Sequence, residues 1–209
     1  MSGRTRIKFC GITRREDALG AVALGVDALG FVFTRHSRRY IEPAHAATIR
    51  RALPPFVTSV ALFMDDEPAW IDEVIAIFRP DLLQFHGDES PSTCATFGRA
   101  YLKAVAMASV SDVASYAAGF AGACGFLLDA HVQGGVGGTG ERFDWSRMPV
   151  LDRPLILAGG LDGDNVAAAI AQTCPHAVDV SSGIESSPGI KNAQRMRDFV
   201  AAVHAASTE

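Results

Sequence analysis

Two side chains in this sequence are of the kind that moves protons, and each stands at the end of a short apolar run. Cys10 closes "RIKFC" and is followed at once by glycine in "KFCGIT". Asp129 closes "GFLLD", shortly before the glycine-rich "QGGVGGTG". An ionised thiol is a nucleophile or base. A carboxyl lifted by partial desolvation keeps its proton near neutral pH and can act as a general acid. Each residue also has a plain structural reading. Free cysteine is often buried as a small hydrophobe, and an aspartate at a strand end often caps or anchors a loop. Alternation in "RIKFC" puts Ile7 and Phe9 on one face and Lys8 and Cys10 on the other, so Lys8 is placed to lower the pKa of the thiol.

Residues so far apart in the chain meet only if the fold gathers strand ends at one place. Apolar runs of about five residues alternate with longer stretches of helical period, the pattern of repeated βα units. Eight strands are expected: "RIKFC" from Arg6, "ALGFVF" from Ala28, "TSVALF" from Thr58, "LLQF" from Leu82, "LKAVAM" from Leu102, "GFLLD" from Gly125, "LILAG" from Leu155 and "AVDVS" from Ala177. Helical stretches are expected over 16–24, 44–53, 68–78, 91–97, 110–118, 164–172 and 192–205. Pro43, Pro68 and Pro91 suit first helical positions, where the missing N–H would be unpaired in any case. The Ser111 and Asp112 pair and Asp162 suit caps.

The 209 residues divide into about 26 per unit, close to the minimum for an eight-fold repeat. The fold expected is therefore α/β, a compact (β/α)8 TIM barrel forming one domain over 1–209. An open doubly wound sheet is the structural competitor, but it commonly carries GxGxxG after the first strand, and here that turn reads "CGIT".

In a barrel the strand ends and the loops after them converge on one mouth. That places Arg39, Gln84, His86, Lys103 and Asp179 beside Cys10 and Asp129. Arg39, in "SRRYIEP", could aim its fork at a substrate carboxylate or simply be a solvated arginine. Gly159 and Gly160 follow the seventh strand, and Ser182 and Gly183 the eighth. These are the two loops that commonly build a phosphate site from backbone N–H groups, here helped by a short helix expected after Gly183. Ordinary tight turns are the alternative. The segment from Gly134 to Gly140 lacks the GK[ST] ending of a nucleotide loop and reads as a lid over the mouth or a plain linker. His86 and His131 belong to no spaced metal-ligand set, so no metal is expected.

A net charge of −4, with no run of five basic residues, argues against nucleic acid as a partner. Cys10, Cys94, Cys124 and Cys174 form neither a CxxC pair nor a disulfide framework, which fits a reducing cytoplasm. No apolar run approaches the roughly 20 residues that span a bilayer, and no leader pattern opens the chain, so a soluble, unprocessed protein without a membrane partner is expected.

Taken together, "KFCGIT", "DALGFVF", "SRRYI", "LLQFHGDE", "LLDA" with "GGTGERFDW", "LAGGL" with "NV", and "VDVSSGIE" with "PGIKN" resemble the phosphoribosylanthranilate isomerase family of tryptophan biosynthesis. The resemblance runs in order from Lys8 to Asn192. It implies an Amadori rearrangement of N-(5-phosphoribosyl)anthranilate to 1-(2-carboxyphenylamino)-1-deoxyribulose 5-phosphate, without an external cofactor. By the same resemblance Asp129 protonates the furanose oxygen, Cys10 as thiolate takes the proton from ribose carbon 2, Arg39 holds the anthranilate carboxylate, and Asp179 steers the anthranilate amine or the loop geometry. The loop "HVQGGVGGTG" is one that the family pattern does not fix closely. Two other readings are carried forward: another phosphosugar isomerase or epimerase barrel, and a non-catalytic phosphosugar-binding barrel. The sequence leaves monomer and homodimer both open.

Overall fold

The computed structural model describes residues 4–130 and 143–206. Eight strands run parallel in chain order: β1 (Arg6–Cys10), β2 (Ala28–Val32), β3 (Thr58–Phe63), β4 (Leu82–Phe85), β5 (Tyr101–Ala106), β6 (Gly125–Asp129), β7 (Leu155–Leu157) and β8 (Ala177–Val180). The last pairs with the first, Arg6 opposite Ala177 and Lys8 opposite Asp179, and the barrel closes. Around it lie α1 (Arg15–Ala23), α2 (Pro43–Arg50), α3 (Pro68–Phe78), α4 (Pro91–Thr96), α5 (Val113–Gly119), α6 (Val166–Thr173) and α7 (Ala193–Ala206). After β8 the chain makes a small antiparallel hairpin, β9 (Glu185–Ser187) and β10 (Ile190–Lys191), which the sequence reading did not foresee.

The strands read as nearly continuous apolar runs because both their faces are buried. One face points outward beneath the helices, where Ile7, Phe9, Leu29, Phe31, Ala61, Phe63, Leu83 and Phe85 belong to one large core. Within it Phe78 of α3 packs its ring 5.0 Å from Phe31 and 5.1 Å from Phe33. The other face points into the barrel, where Leu102, Ala104, Leu127, Ile156, Ala158 and Ala177 fill one part and Cys10, Val32 and Leu62 another. This strict alternation decides which side chain reaches the mouth.

Pro43, Pro68 and Pro91 each open a helix, as expected. Asp112 caps α5 by accepting the Ser115 N–H at 3.0 Å, and Ser90 caps α4 by accepting that of Thr93 at 3.1 Å. Asp162 lies three residues before the N-cap, Asn165: its Oδ1 accepts the N–H groups of Asp164 and Asn165, forming a turn that delays α6 to Val166. Among the described residues β6 is followed by a 3-10 turn, Trp145–Arg147, and no α-helix, so the sixth unit departs from the regular repeat. No helix among them is long and apolar enough to cross a membrane.

The two loops after β7 and β8 are packed backbone to backbone. A Cβ at Gly183 would overlap the carbonyl of Leu161, which cannot swing aside as a side chain could. Gly183→Ala is therefore expected to lower the free energy of unfolding by about 1–3 kcal/mol, the usual range for overpacking, as read from urea denaturation.

Candidate active site

Cys10 ends β1 on the inward face, and its thiol fits because the neighbouring position on β2 is Gly30. A Cβ there would lie 2.7 Å from the Cys10 Sγ and 3.2 Å from the Lys8 Nζ. Lys8, two residues earlier, shares that face, as the alternation requires. Its Nζ sits 2.7 Å from Asp179 Oδ1 across the seam between β1 and β8. Burial opposes the charge on Lys8, but Asp179 and the thiol outweigh it and hold the ammonium above its ordinary pKa. The thiol differs from the sequence expectation. Burial pushes it up, Lys8 and Lys191 pull it part of the way back, and Asp179 opposes them, so the net shift is upward. Lys8 acts in the expected direction but does not prevail, because a thiolate inside the barrel loses more hydration than one ammonium restores.

Asp129 ends β6, also facing in and buried. His86, just past β4, brings its Nε2 to 3.4 Å from Asp129 Oδ2. Gln84 stands two residues before His86 on the same face, its Nε2 3.0 Å from the His86 Nδ1. A donating Gln84 amide makes Nδ1 the acceptor and leaves the ring proton on Nε2, toward the carboxylate.

Arg39 crosses from the loop after β2 and lies over Gly11. That position needs glycine twice over: its φ is +76°, and a Cβ would meet the Arg39 Cδ at 2.5 Å. The Arg39 fork is closed on Glu185, with Nε 2.9 Å from Oε1 and Nη2 2.8 Å from Oε2. Nη1 is the guanidinium nitrogen that Glu185 does not engage. Glu185 also accepts from Lys191 Nζ at 2.8 Å and from the Gly189 N–H at 3.2 Å. Burial raises the Glu185 carboxyl, but Arg39 and Lys191 together bring it below its ordinary range. Neither Glu185 nor Lys191 was assigned a role from sequence, although both stand in the "VDVSSGIE" and "PGIKN" motifs. The sequence carries no signal that these two charges are buried, because the partners Arg39 and Cys10 lie 146 and 181 residues away.

Cys10, Arg39, Gln84, His86, Asp129 and Asp179 all line one cavity of about 280 Å³. Gly159, Gly160 and Ser182 line it too, the two glycines with φ of +82° and +63°. Thr34, His36, Ser37, Met64 and Asp65 add to the wall from the loops after β2 and β3, and none of these was singled out from sequence.

Two residues expected at the site are elsewhere. Gly183 does not line the cavity and serves the packing described above, while the short helical turn starts at Ser182 rather than after Gly183. Lys103 faces outward with Tyr101 and Val105, because alternation along β5 puts those three together beneath the helices. It is fully buried, and its Nζ donates to Glu89 Oε2 at 3.0 Å and to the Gly87 and Phe85 carbonyls at 2.5 and 3.4 Å. Lys103 is thus a brace for the loop that carries His86, not a substrate contact. His131 and the expected lid from Gly134 to Gly140 lie outside the described residues.

The family model for N-(5'phosphoribosyl)anthranilate (PRA) isomerase matches residues 7–202. The chain belongs to the PRA isomerase family. The PRA isomerase of Nitrosospira multiformis is 52% identical over 199 residues, covering 95% of this chain and 96% of that one. That of Pseudomonas aeruginosa is 53% identical, covering 95% and 94%. The solved PRA isomerase of Thermotoga maritima superposes with a TM-score of 0.86 at 39% identity, covering 96% of this chain and 99% of that one. A PRA isomerase crystallised with reduced 1-(o-carboxyphenylamino)-1-deoxyribulose 5-phosphate gives 0.80 at 36% identity, with the same coverage.

Within this PRA isomerase barrel, the bracing role of Lys103 separates cleanly from substrate contact. Lys103→Met leaves Glu89 buried without its ammonium, which costs about 3–5 kcal/mol. The expected result is an earlier urea midpoint with little change in KM. The reverse pattern would return Lys103 to the list of substrate contacts.

Proposed function

We propose that this chain converts N-(5-phosphoribosyl)anthranilate to 1-(2-carboxyphenylamino)-1-deoxyribulose 5-phosphate, with Asp129 as the acid and Cys10 as the base. The observation that carries the assignment is that a carboxyl and a thiol, ending β6 and β1, face one cavity whose remaining wall includes the loops after β7 and β8. Family membership favours this over the other phosphosugar barrels and over a barrel that only binds.

The chemistry follows from the groups present. Asp129 gives its proton to the furanose ring oxygen as the bond from carbon 1 to that oxygen breaks, and the anilino nitrogen lone pair forms the Schiff base. The Cys10 thiolate takes the proton from carbon 2, and the released pair makes the double bond of an enolamine, which tautomerises to the ketone. Carbon 2 is oxidised as carbon 1 is reduced, so the electrons balance inside the substrate. The His86 Nε2–H, 3.4 Å away, supports the Asp129 carboxylate once its proton has gone. Backbone N–H groups at Gly159 and Gly160, with Ser182, suit the phosphate, and Arg39 Nη1 suits the anthranilate carboxylate. Holding the substrate at both ends keeps the reacting carbons between acid and base.

Cys10→Ala and Asp129→Asn are each expected to lower kcat by about 10²–10⁴. The assay follows loss of substrate fluorescence, with the labile substrate made in place from anthranilate and phosphoribosyl pyrophosphate. Full turnover in either variant would overturn that residue's role.

The upward shift of the thiol has its own signature. A base works deprotonated, so a raised pKa means a small thiolate fraction at pH 7 that grows about tenfold per pH unit. Alkylation of Cys10 by iodoacetamide is expected to accelerate at that rate through pH 9. Mass spectrometry counts the exposed Cys124 and Cys174 separately. A plateau already reached at pH 7 would contradict the shift.

A further inference from the structure

Behind the cavity wall lies a charged side chain for which the proposed reaction has no task. Lys191 ends β10, and its side chain is 0% exposed. Its Nζ lies 2.5 Å from the Cys10 carbonyl, 2.8 Å from Glu185 Oε1 and 3.4 Å from the Ser181 carbonyl. All three partners are acceptors, and only an ammonium has three N–H donors to meet them. Ser181 Oγ also donates to the Cys10 carbonyl, at 3.1 Å, so that oxygen is held from two sides.

The charges nearby do not cancel. Lys8 of β1 and Asp179 of β8 face the thiol and pair with each other. Arg39 and Lys191 share the Glu185 carboxylate, so among these three described groups one positive charge is in excess beneath Cys10. Asp17 of α1 meets the Lys191 backbone N–H at 3.1 Å and is itself paired with Arg14. Burial lowers the Lys191 ammonium from its ordinary value while Glu185 opposes that fall, and the field of Lys191 in turn favours the thiolate.

We propose that Lys191 is a positioning residue for Cys10, its ammonium pinning the end of β1 through the Cys10 carbonyl and holding a positive charge beneath the thiol. The proposal rests on the reading of Cys10 as the base. The small hairpin after β8 thereby becomes part of the proton-abstracting machinery, although Lys191 itself does not line the cavity.

Lys191→Met keeps the apolar stem and leaves Glu185 paired with Arg39, so no carboxylate is orphaned. Iodoacetamide alkylation of Cys10 across pH 7 to 10, read by mass spectrometry, is expected to shift to higher pH. A shift of one unit would make alkylation at pH 7.5 about tenfold slower, with a parallel fall in kcat and little change in KM. Lys191→Arg, which restores the charge, is expected to restore the titration. Lys191→Gln supplies a donor without charge if the Met variant does not fold. A folded Met or Gln variant whose thiol titrates as in the parent would overturn the proposal. Because alkylation reads the thiol directly, failure of the base reading itself would show separately, as turnover retained in Cys10→Ala.

Discussion

Lys8 and Asp179 face each other where the last strand meets the first, 2.7 Å apart and almost wholly buried. The β1 and β8 side of the mouth is built on this pair. In energetic terms it is a weak bond for its cost of desolvation, yet removing either partner alone would leave an uncompensated charge inside the barrel. It therefore specifies the register in which β1 and β8 join, since a slip of one residue would turn Lys8 out among the helices and bring Phe9 into the interior. The same register puts Cys10 at the rim beside Gly30, where there is space for a sulfur and little else.

Around that seam the charges form a graded series from sealed to open. Lys103 with Glu89 is a closed brace outside the strands. Arg39, Glu185 and Lys191 form a second layer that touches the cavity on one side and the Cys10 backbone on the other. Cys10 and Asp129 are the innermost layer, each buried yet open to the cavity. Buried side chains of this kind have few rotamers left, so Cys10 and Asp129 are held in place whether or not the cavity is filled.

Much of this was legible in the sequence. Strand positions followed from apolar runs, helix starts from Pro43, Pro68 and Pro91, and the facing of Cys10 and Lys8 from simple alternation, because each of these is decided by neighbours in the chain. Lys103 was misread although the same rule applied: Tyr101 and Val105 flank it at two-residue spacing and share its outward face. A polar residue in an apolar strand drew attention to chemistry when it was in fact paired under the helices. Glu185 and Lys191 were not legible, since their partners Arg39 and Cys10 come from the far end of the chain, 146 and 181 residues away. The net upward shift of the thiol was hidden for a related reason, as it depends on how much water the closed barrel removes.

That long separation has a consequence for how the molecule comes into being. Lys191 follows Cys10 by 181 residues and comes just before α7. During synthesis the early strands are complete while the seam still lacks its second side and the carbonyl of Cys10 its ammonium. Contacts so distant in sequence form late and slow the search for the native state. In a nascent chain the Cys10 thiol thus stays without its final surroundings until the barrel closes around it.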